Sequence, residues 1–279
     1  MPTFRTSDGV DLSYVEDGQG HPVVLIHGYA APAAAWALTT DALVAAGYRV
    51  IAFDRRSHGE SETPVFGQRM ARHGRDIGEL LEHLDLNDAT LVGASMGGNA
   101  IWAYIDQYGP DRLQAIVIVD QTPKMLNSPD WPHGFYGYEA SNAGTLFGNG
   151  VPTTGRGRDW ATSAPQLARL TDRLGGPPAF RDPAAPETIK LLNDHALQDW
   201  RDVVERVARP VLMMAARESQ LWPCEHAKAA IAANPFGRAV IIEECGHAIS
   251  FDQPDRFNEL LIEFLHDTGT KPGSVTLEP

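Results

Sequence analysis

Thr90-Leu91-Val92-Gly93-Ala94-Ser95-Met96-Gly97 is the stretch that decides how the rest of this chain is read. An apolar run enters a Gly-x-Ser-x-Gly pentapeptide, and a helix-like stretch from Gly97 to Tyr108 leaves it, closed by Gly109-Pro110. A strand-to-helix turn this tight holds its middle residue at strained backbone angles and lifts the hydroxyl clear of the sheet. Glycines flank it because side chains there would collide with neighbouring backbone. The following helix begins at Met96, so its N-terminal amides and dipole favour an anion beside Ser95. Ser95 is therefore the candidate nucleophile.

Working outward, short apolar or β-branched runs alternate with helix-like stretches, the rhythm of crossover units and a mostly parallel sheet. Thr3 to Thr6 and Asp11 to Glu16 flank Asp8-Gly9 and read as a hairpin. Six more strands are expected at Val23 to His27, Tyr48 to Asp54, Ala89 to Gly93, Ala115 to Asp120, Val211 to Ala216 and Ala239 to Glu244. Most are continuously apolar, as strands covered on both faces must be. Helices are expected at Ala33 to Ala46, Arg69 to Leu84, Gly97 to Tyr108, Pro223 to Ala233 and Pro254 to His266. Residues 121–209 break the rhythm. They are rich in Pro, Gly and aromatics and too long for a simple crossover, so they are expected to form an inserted lid, helical toward Trp200 to Val207. The core then comprises residues 1–120 and 210–267, and residues 268–279 read as a flexible tail.

Composition bounds the function. The chain has 279 residues, 43% hydrophobic and 21% charged, enough to bury a large core. A formal net charge of −13 disfavours nucleic acid and anionic lipid as partners and serves solubility. Two cysteines, Cys224 and Cys245, make no disulfide framework. No signal peptide or membrane span is legible, so a cytoplasmic location is expected. There is no His-Glu-x-x-His, Cys-x-x-Cys, P-loop or dinucleotide fingerprint, and no metal or cofactor is expected.

A neutral serine hydroxyl is a weak nucleophile and needs a base. Histidine suits, with an ordinary pKa of about 6.5. Of the ten histidines, His247 alone follows the last strand with a glycine before it. His27 and His58 sit in turns, His83 on a helix and His133 in the insertion.

Together with the serine elbow, three motifs carry a resemblance: His27-Gly28-Tyr29 after the third strand, Asp54-Arg55-Arg56-Ser57-His58-Gly59-Glu60-Ser61 after the fourth, and Cys245-Gly246-His247 after the last. In these the chain resembles the α/β-hydrolase family, within it the serine esterase and cofactor-free haloperoxidase-like branch. The likeness runs from about residue 10 to 266, the insertion matching only in position. It implies an α/β fold: a mostly parallel eight-stranded sheet, helices on both faces and a helical lid. It also implies that the backbone N–H groups of Tyr29 and Met96 form an oxyanion hole.

The acid departs from the family pattern. Relatives usually carry it after the seventh strand, four residues before a proline. Counting back from Pro223 lands on Ser219, which cannot serve. Two candidates remain: Glu218, one residue off, and Asp120 at the end of the sixth strand, where haloalkane dehalogenases and certain lactone hydrolases of the family carry theirs. Asp120 is preferred because the usual position is vacated, and either keeps the order Ser, acid, His. Trp36, Trp131 and Trp222 are candidates for walling an apolar substrate pocket. The expected activity is hydrolysis of a small-molecule carboxylic ester or lactone through an acyl-enzyme. Perhydrolysis of the haloperoxidase kind and C–C bond hydrolysis are the alternatives on the same residues. A non-catalytic ligand-binding protein of this fold is the rival from another class; the intact elbow and base argue against it.

Overall fold

The computed structural model describes residues 1–269, so the expected tail lies outside the described residues from residue 270 onward. Eight strands, β1 (Thr3–Arg5), β2 (Asp11–Asp17), β3 (Pro22–Ile26), β4 (Arg49–Phe53), β5 (Ala89–Ala94), β6 (Leu113–Val119), β7 (Val211–Ala216) and β8 (Gly237–Ile242), form one sheet. Their order is β1-β2-β4-β3-β5-β6-β7-β8. β2 pairs antiparallel with β1 and β4, and every other pairing is parallel. This is the α/β-hydrolase sheet that the resemblance implied.

The central strands read as unbroken apolar runs because both faces are covered. Along β3, Val24 and Ile26 join one core cluster while Val23 and Leu25 join the other, the two-residue alternation of a pleated strand. Helices α2 (Met70–His83) and α3 (Met96–Tyr108) lie over the first face, burying Ile77, Leu80, Leu81, Ile101 and Trp102. Helices α1 (Ala37–Ala45) and α9 (Pro254–Asp267) cover the second with Leu43, Phe257, Leu261 and Leu265. In such a sheet the carboxyl ends of the strands form the rim where ligands bind, and β5, β6 and β8 deliver Ser95, Asp120 and the His247 loop there.

Residues 121–209 lie between β6 and β7, as the strand spacing required. Their helices are α4 (Ala164–Leu174), α5 (Pro186–Ala196) and α6 (Arg201–Arg206). Helical structure starts only at Trp160. Residues 121–159 are turns and isolated bridges, which nonetheless bury Phe135, Tyr138 and Phe147 in mutual edge contacts with centroids 5.0 Å apart. The expected helix from Pro223 to Ala233 is shorter, only α7 (His226–Ala230). Single i to i−3 turns from Pro223 and Cys224 lead into it, and others closing at Ala232 and Asn234 follow. A further one-turn helix, α8 (Ile249–Asp252), follows the His247 loop. No helix among the described residues is long and apolar enough to cross a membrane.

Candidate active site

Ser95 occupies the bend between β5 and α3 with φ 51° and ψ −131°. A non-glycine residue adopts this only when its surroundings impose it. Here the Ser95 N–H donates to Val119 O at 2.9 Å, and its carbonyl accepts from Gly98 N at 2.8 Å. A Cβ on Gly93 would come within 2.6 Å of the Gly97 carbonyl carbon, and one on Gly97 would run into the Ile26 and His27 carbonyls. Both glycines are therefore demanded by close approach. From the neighbouring strand, Gly28 packs so tightly that a Cβ there would lie 3.0 Å from the Ser95 Cβ. The loop after β3 is thus pressed against the serine.

His247 reaches the serine from the far side. Its Nε2 lies 3.0 Å from Ser95 Oγ, and its Nδ1 lies 2.7 Å from Asp120 Oδ2. The loop that carries it is tied at successive residues: Gly246 N donates to Asp252 Oδ2 at 2.6 Å, and His247 N to Gln220 Oε1 at 2.7 Å. Trp222 stands edge-on to the imidazole at 5.2 Å and Trp160 at 6.4 Å.

Asp120, itself at φ 44°, is fully buried. Its Oδ1 accepts from Ala216 N at 2.8 Å and its Oδ2 from Ser219 Oγ at 2.7 Å. The buried His226 ring sits 3.6 Å from Oδ1. Burial alone would push this carboxyl up. The facing imidazoles of His226 and His247 outweigh burial and hold it below the ordinary carboxylate range. Glu218, the alternative acid, points elsewhere: it is 43% exposed at its side chain and pairs loosely with Arg158 at 3.6 Å. Of the two carboxylates weighed from sequence, Asp120 is the one hydrogen-bonded to His247. Ser219, which stands where relatives usually carry their acid, donates to that carboxylate. Sequence reasoning missed His226, whose approach to Asp120 leaves no mark in spacing.

A cavity of about 320 Å³ opens over Ser95. Trp36, Trp160, Phe180, Leu221, Ile249 and Phe251 contribute to its apolar wall, and Tyr29 and His247 also line it. Trp36, one of the three tryptophans proposed from sequence, lines this cavity. Trp131 does not: it is buried away from it, its indole N–H donating to Lys124 O at 3.0 Å and its ring beneath the Arg201 guanidinium. An indole is as useful for anchoring an irregular loop as for walling a pocket, and the sequence alone does not separate the two uses. Trp222 is likewise buried and backs His247 rather than lining the cavity. Met96 is buried at the head of α3, and Tyr29 hydrogen-bonds Pro183 O through its hydroxyl at 2.5 Å. Trp160, Phe180 and Phe251 also line the cavity. All three are aromatic, the one signal that pointed to them.

Behind the Gly28 loop lies a buried polar group. His27 Nδ1 lies 2.9 Å from Gly28 O, and its Nε2 accepts from Arg55 N at 2.9 Å, which defines a neutral ring with its proton on Nδ1. Burial, and then the Arg55 charge, hold His27 well below the ordinary imidazole range. The Arg55 guanidinium is fully buried and also donates to Gly28 O, at 2.8 Å. Burial lowers it to about 9, so it keeps its proton at neutral pH. Cys245, two residues from His247, is buried and its thiol is pushed up to about 12, so it offers no thiolate. Among the described residues no three His, Cys, Asp or Glu side chains form a group able to hold a metal ion.

Comparison with known proteins bears on the fold. Residues 21–254 match the family model described as the alpha/beta hydrolase fold. The non-heme chloroperoxidase CPO-A1 of Kitasatospora aureofaciens is 32% identical over 280 residues, covering 95% of this chain and 100% of that protein. Among solved structures, a bromoperoxidase from Bacillus anthracis superposes with a TM-score of 0.76 at 29% identity, over 93% of this chain and 96% of that one. An esterase from Exiguobacterium antarcticum shares the fold at TM-score 0.75 and 22% identity, covering 95% and 98% of the two chains.

Proposed function

The chain belongs to the alpha/beta hydrolase family, and from that membership and the geometry at Ser95 we propose that it is a serine hydrolase cleaving a carboxylic ester or lactone through an acyl-enzyme. The observation that carries this is the unbroken relay from Ser95 Oγ to His247 at 3.0 Å and on to buried Asp120 at 2.7 Å. In this reading Ser95 Oγ attacks the carbonyl carbon while His247 Nε2 takes its proton. Asp120 holds the imidazole in the tautomer that presents a bare Nε2 and stabilises the imidazolium that results. The Tyr29 and Met96 amides receive the oxyanion. His247 then protonates the departing alcohol, takes a proton from water, and the resulting hydroxide releases the acid and restores Ser95.

The cavity wall supports an apolar, uncharged acyl or alcohol group, since aromatic and aliphatic side chains dominate it. Residues 121–209 serve in this reading as a lid, because Val151, Trp160 and Phe180 contribute to that wall.

A second reading rests on the names of the relatives, a chloroperoxidase and a bromoperoxidase. The same acyl-enzyme could be opened by hydrogen peroxide in place of water, releasing a peracid that oxidises halide and leaves the carboxylic acid. The two differ only in the nucleophile of the second step.

Labelling with a fluorophosphonate probe tests the shared core: stoichiometric reaction at Ser95, absent in Ser95→Ala, is expected. Inertness of the folded wild type would replace this reading with that of a ligand binder. A chromogenic ester panel run with and without peroxide and bromide then ranks hydrolysis against perhydrolysis.

A further inference from the structure

We propose that Arg55 is a positioning residue for the oxyanion site, orienting and polarising the Gly28–Tyr29 peptide whose N–H faces the developing charge; this rests on the reading of Tyr29 as an oxyanion donor. Two donors converge on one carbonyl. Arg55 Nη2 donates to Gly28 O at 2.8 Å, and the Nδ1–H of His27 reaches the same oxygen at 2.9 Å. That carbonyl and the Tyr29 N–H belong to a single planar trans peptide, so they point in opposite directions. Holding the oxygen toward Arg55 turns the N–H away from it, on a loop that packs against Ser95. A charged donor on the carbonyl also draws electron density through the amide, and hydrogen bonds in such chains strengthen one another by about 10–30%.

The surroundings of Arg55 argue that its charge matters. Burying a guanidinium with no carboxylate is costly, and a role in packing alone would be met by a neutral side chain. Yet Arg55 makes no ion pair among the described residues. Asp76, whose charge it feels, is engaged by Arg56 at 2.6 and 2.8 Å and by Arg72 at 2.9 Å. The other groups facing Arg55 are imidazoles. Its Nη1 lies 3.1 Å from His73 Nδ1, and burial holds His27, His58, His73 and His195 below the ordinary range, hence neutral. One positive charge without a carboxylate in ion-pair contact therefore sits behind the peptide, in a low-dielectric setting where a fixed charge acts strongly on a developing oxyanion.

The test compares Arg55→Met, Arg55→Lys and Arg55→Gln with wild type, using an ester that the wild type turns over. Three quantities are read: kcat and KM, the inhibition constant of an alkyl boronic acid that forms a tetrahedral adduct at Ser95, and that of the carboxylate product. Arg55→Met is expected to lower kcat by about 10- to 100-fold, less than the loss of a direct oxyanion donor, with KM within about twofold. Boronate affinity should fall in step with kcat and product affinity should not, while Arg55→Lys recovers part of both losses. Should Arg55→Met fail to fold, Lys against Gln carries the same comparison, with Lys expected to be faster. Wild-type kcat in a folded variant, or equal weakening of boronate and product, would overturn the proposal and leave Arg55 a packing residue. A wild type that neither cleaves esters nor binds the boronate would remove the hydrolase reading itself, and this inference with it.

Discussion

Two regions of opposite character meet at the cavity over Ser95. On the sheet side, His27 lines it while Asp120 and Arg55 stand behind it; all three are at most 1% exposed, and each is held by hydrogen bonds to backbone or to one another. On the side of residues 121–209, Val151, Trp160 and Phe180 are 41%, 53% and 51% exposed and line the same cavity by contact alone. The difference has a physical cause. Buried polar atoms must find partners or cost free energy, so their positions are over-determined. Half-exposed aromatics meet no such demand and can change with little penalty. Chemistry that needs tenths of an ångström belongs on the first surface, and recognition of an apolar group belongs on the second.

That contrast breaks most sharply at the serine. Ser95→Ala should lower kcat by about 10⁴-fold or more on any ester the wild type cleaves, with melting temperature nearly unchanged; residual activity above about 1% would place the nucleophile elsewhere. Next comes the carboxylate. Asp120→Asn is expected to cost about 10³- to 10⁴-fold in kcat, because the amide favours the wrong tautomer of His247. Glu218→Gln, on an exposed side chain, should stay within about twofold; the reverse ranking would move the acid to Glu218.

The pH profile sharpens the same point. The folded-state pKa of Asp120 lies below its unfolded value. Its contribution to stability is therefore present above the ordinary carboxylate range and lost only as pH falls through the depressed folded value. Between about pH 5 and 8 it stays ionised, so this carboxylate should add no step to the acid limb of kcat/KM. A carboxylate step in that limb would contradict the assignment.

The smallest effects are expected on the exposed side. Trp160→Ala and Phe180→Ala should leave kcat on a short acetyl ester within a fewfold. They should shift preference among longer acyl chains by about 10-fold, the scale of one or two methylenes in an apolar pocket. A drop in kcat comparable to that of Asp120→Asn would mean that the interval supplies chemistry as well as shape.

What was legible in the chain itself follows from local rules. Eight strands, the glycine elbow and the histidine loop are written in short-range patterns: apolar runs, a Gly-x-Ser-x-Gly that only a sharp bend explains, a glycine before His247. Each is a matter of backbone sterics or of covering a sheet on two faces, and those constraints act over a few residues. The choice between Asp120 and Glu218 was not local. Both sit near strand ends, and only the tertiary pairing of β6 with β7 brings Ala216 N and Ser219 Oγ onto the Asp120 carboxylate while turning Glu218 to solvent. Likewise, no spacing rule tells Trp131, an anchor under Arg201, from Trp160 in the cavity wall, or reveals that Arg55 lies behind Gly28. Sequence by itself determined the sheet and marked the candidate residues for the site. The three-dimensional fold decided which carboxylate, which aromatics and which buried charge face one another, because those contacts join segments tens of residues apart and are set by packing.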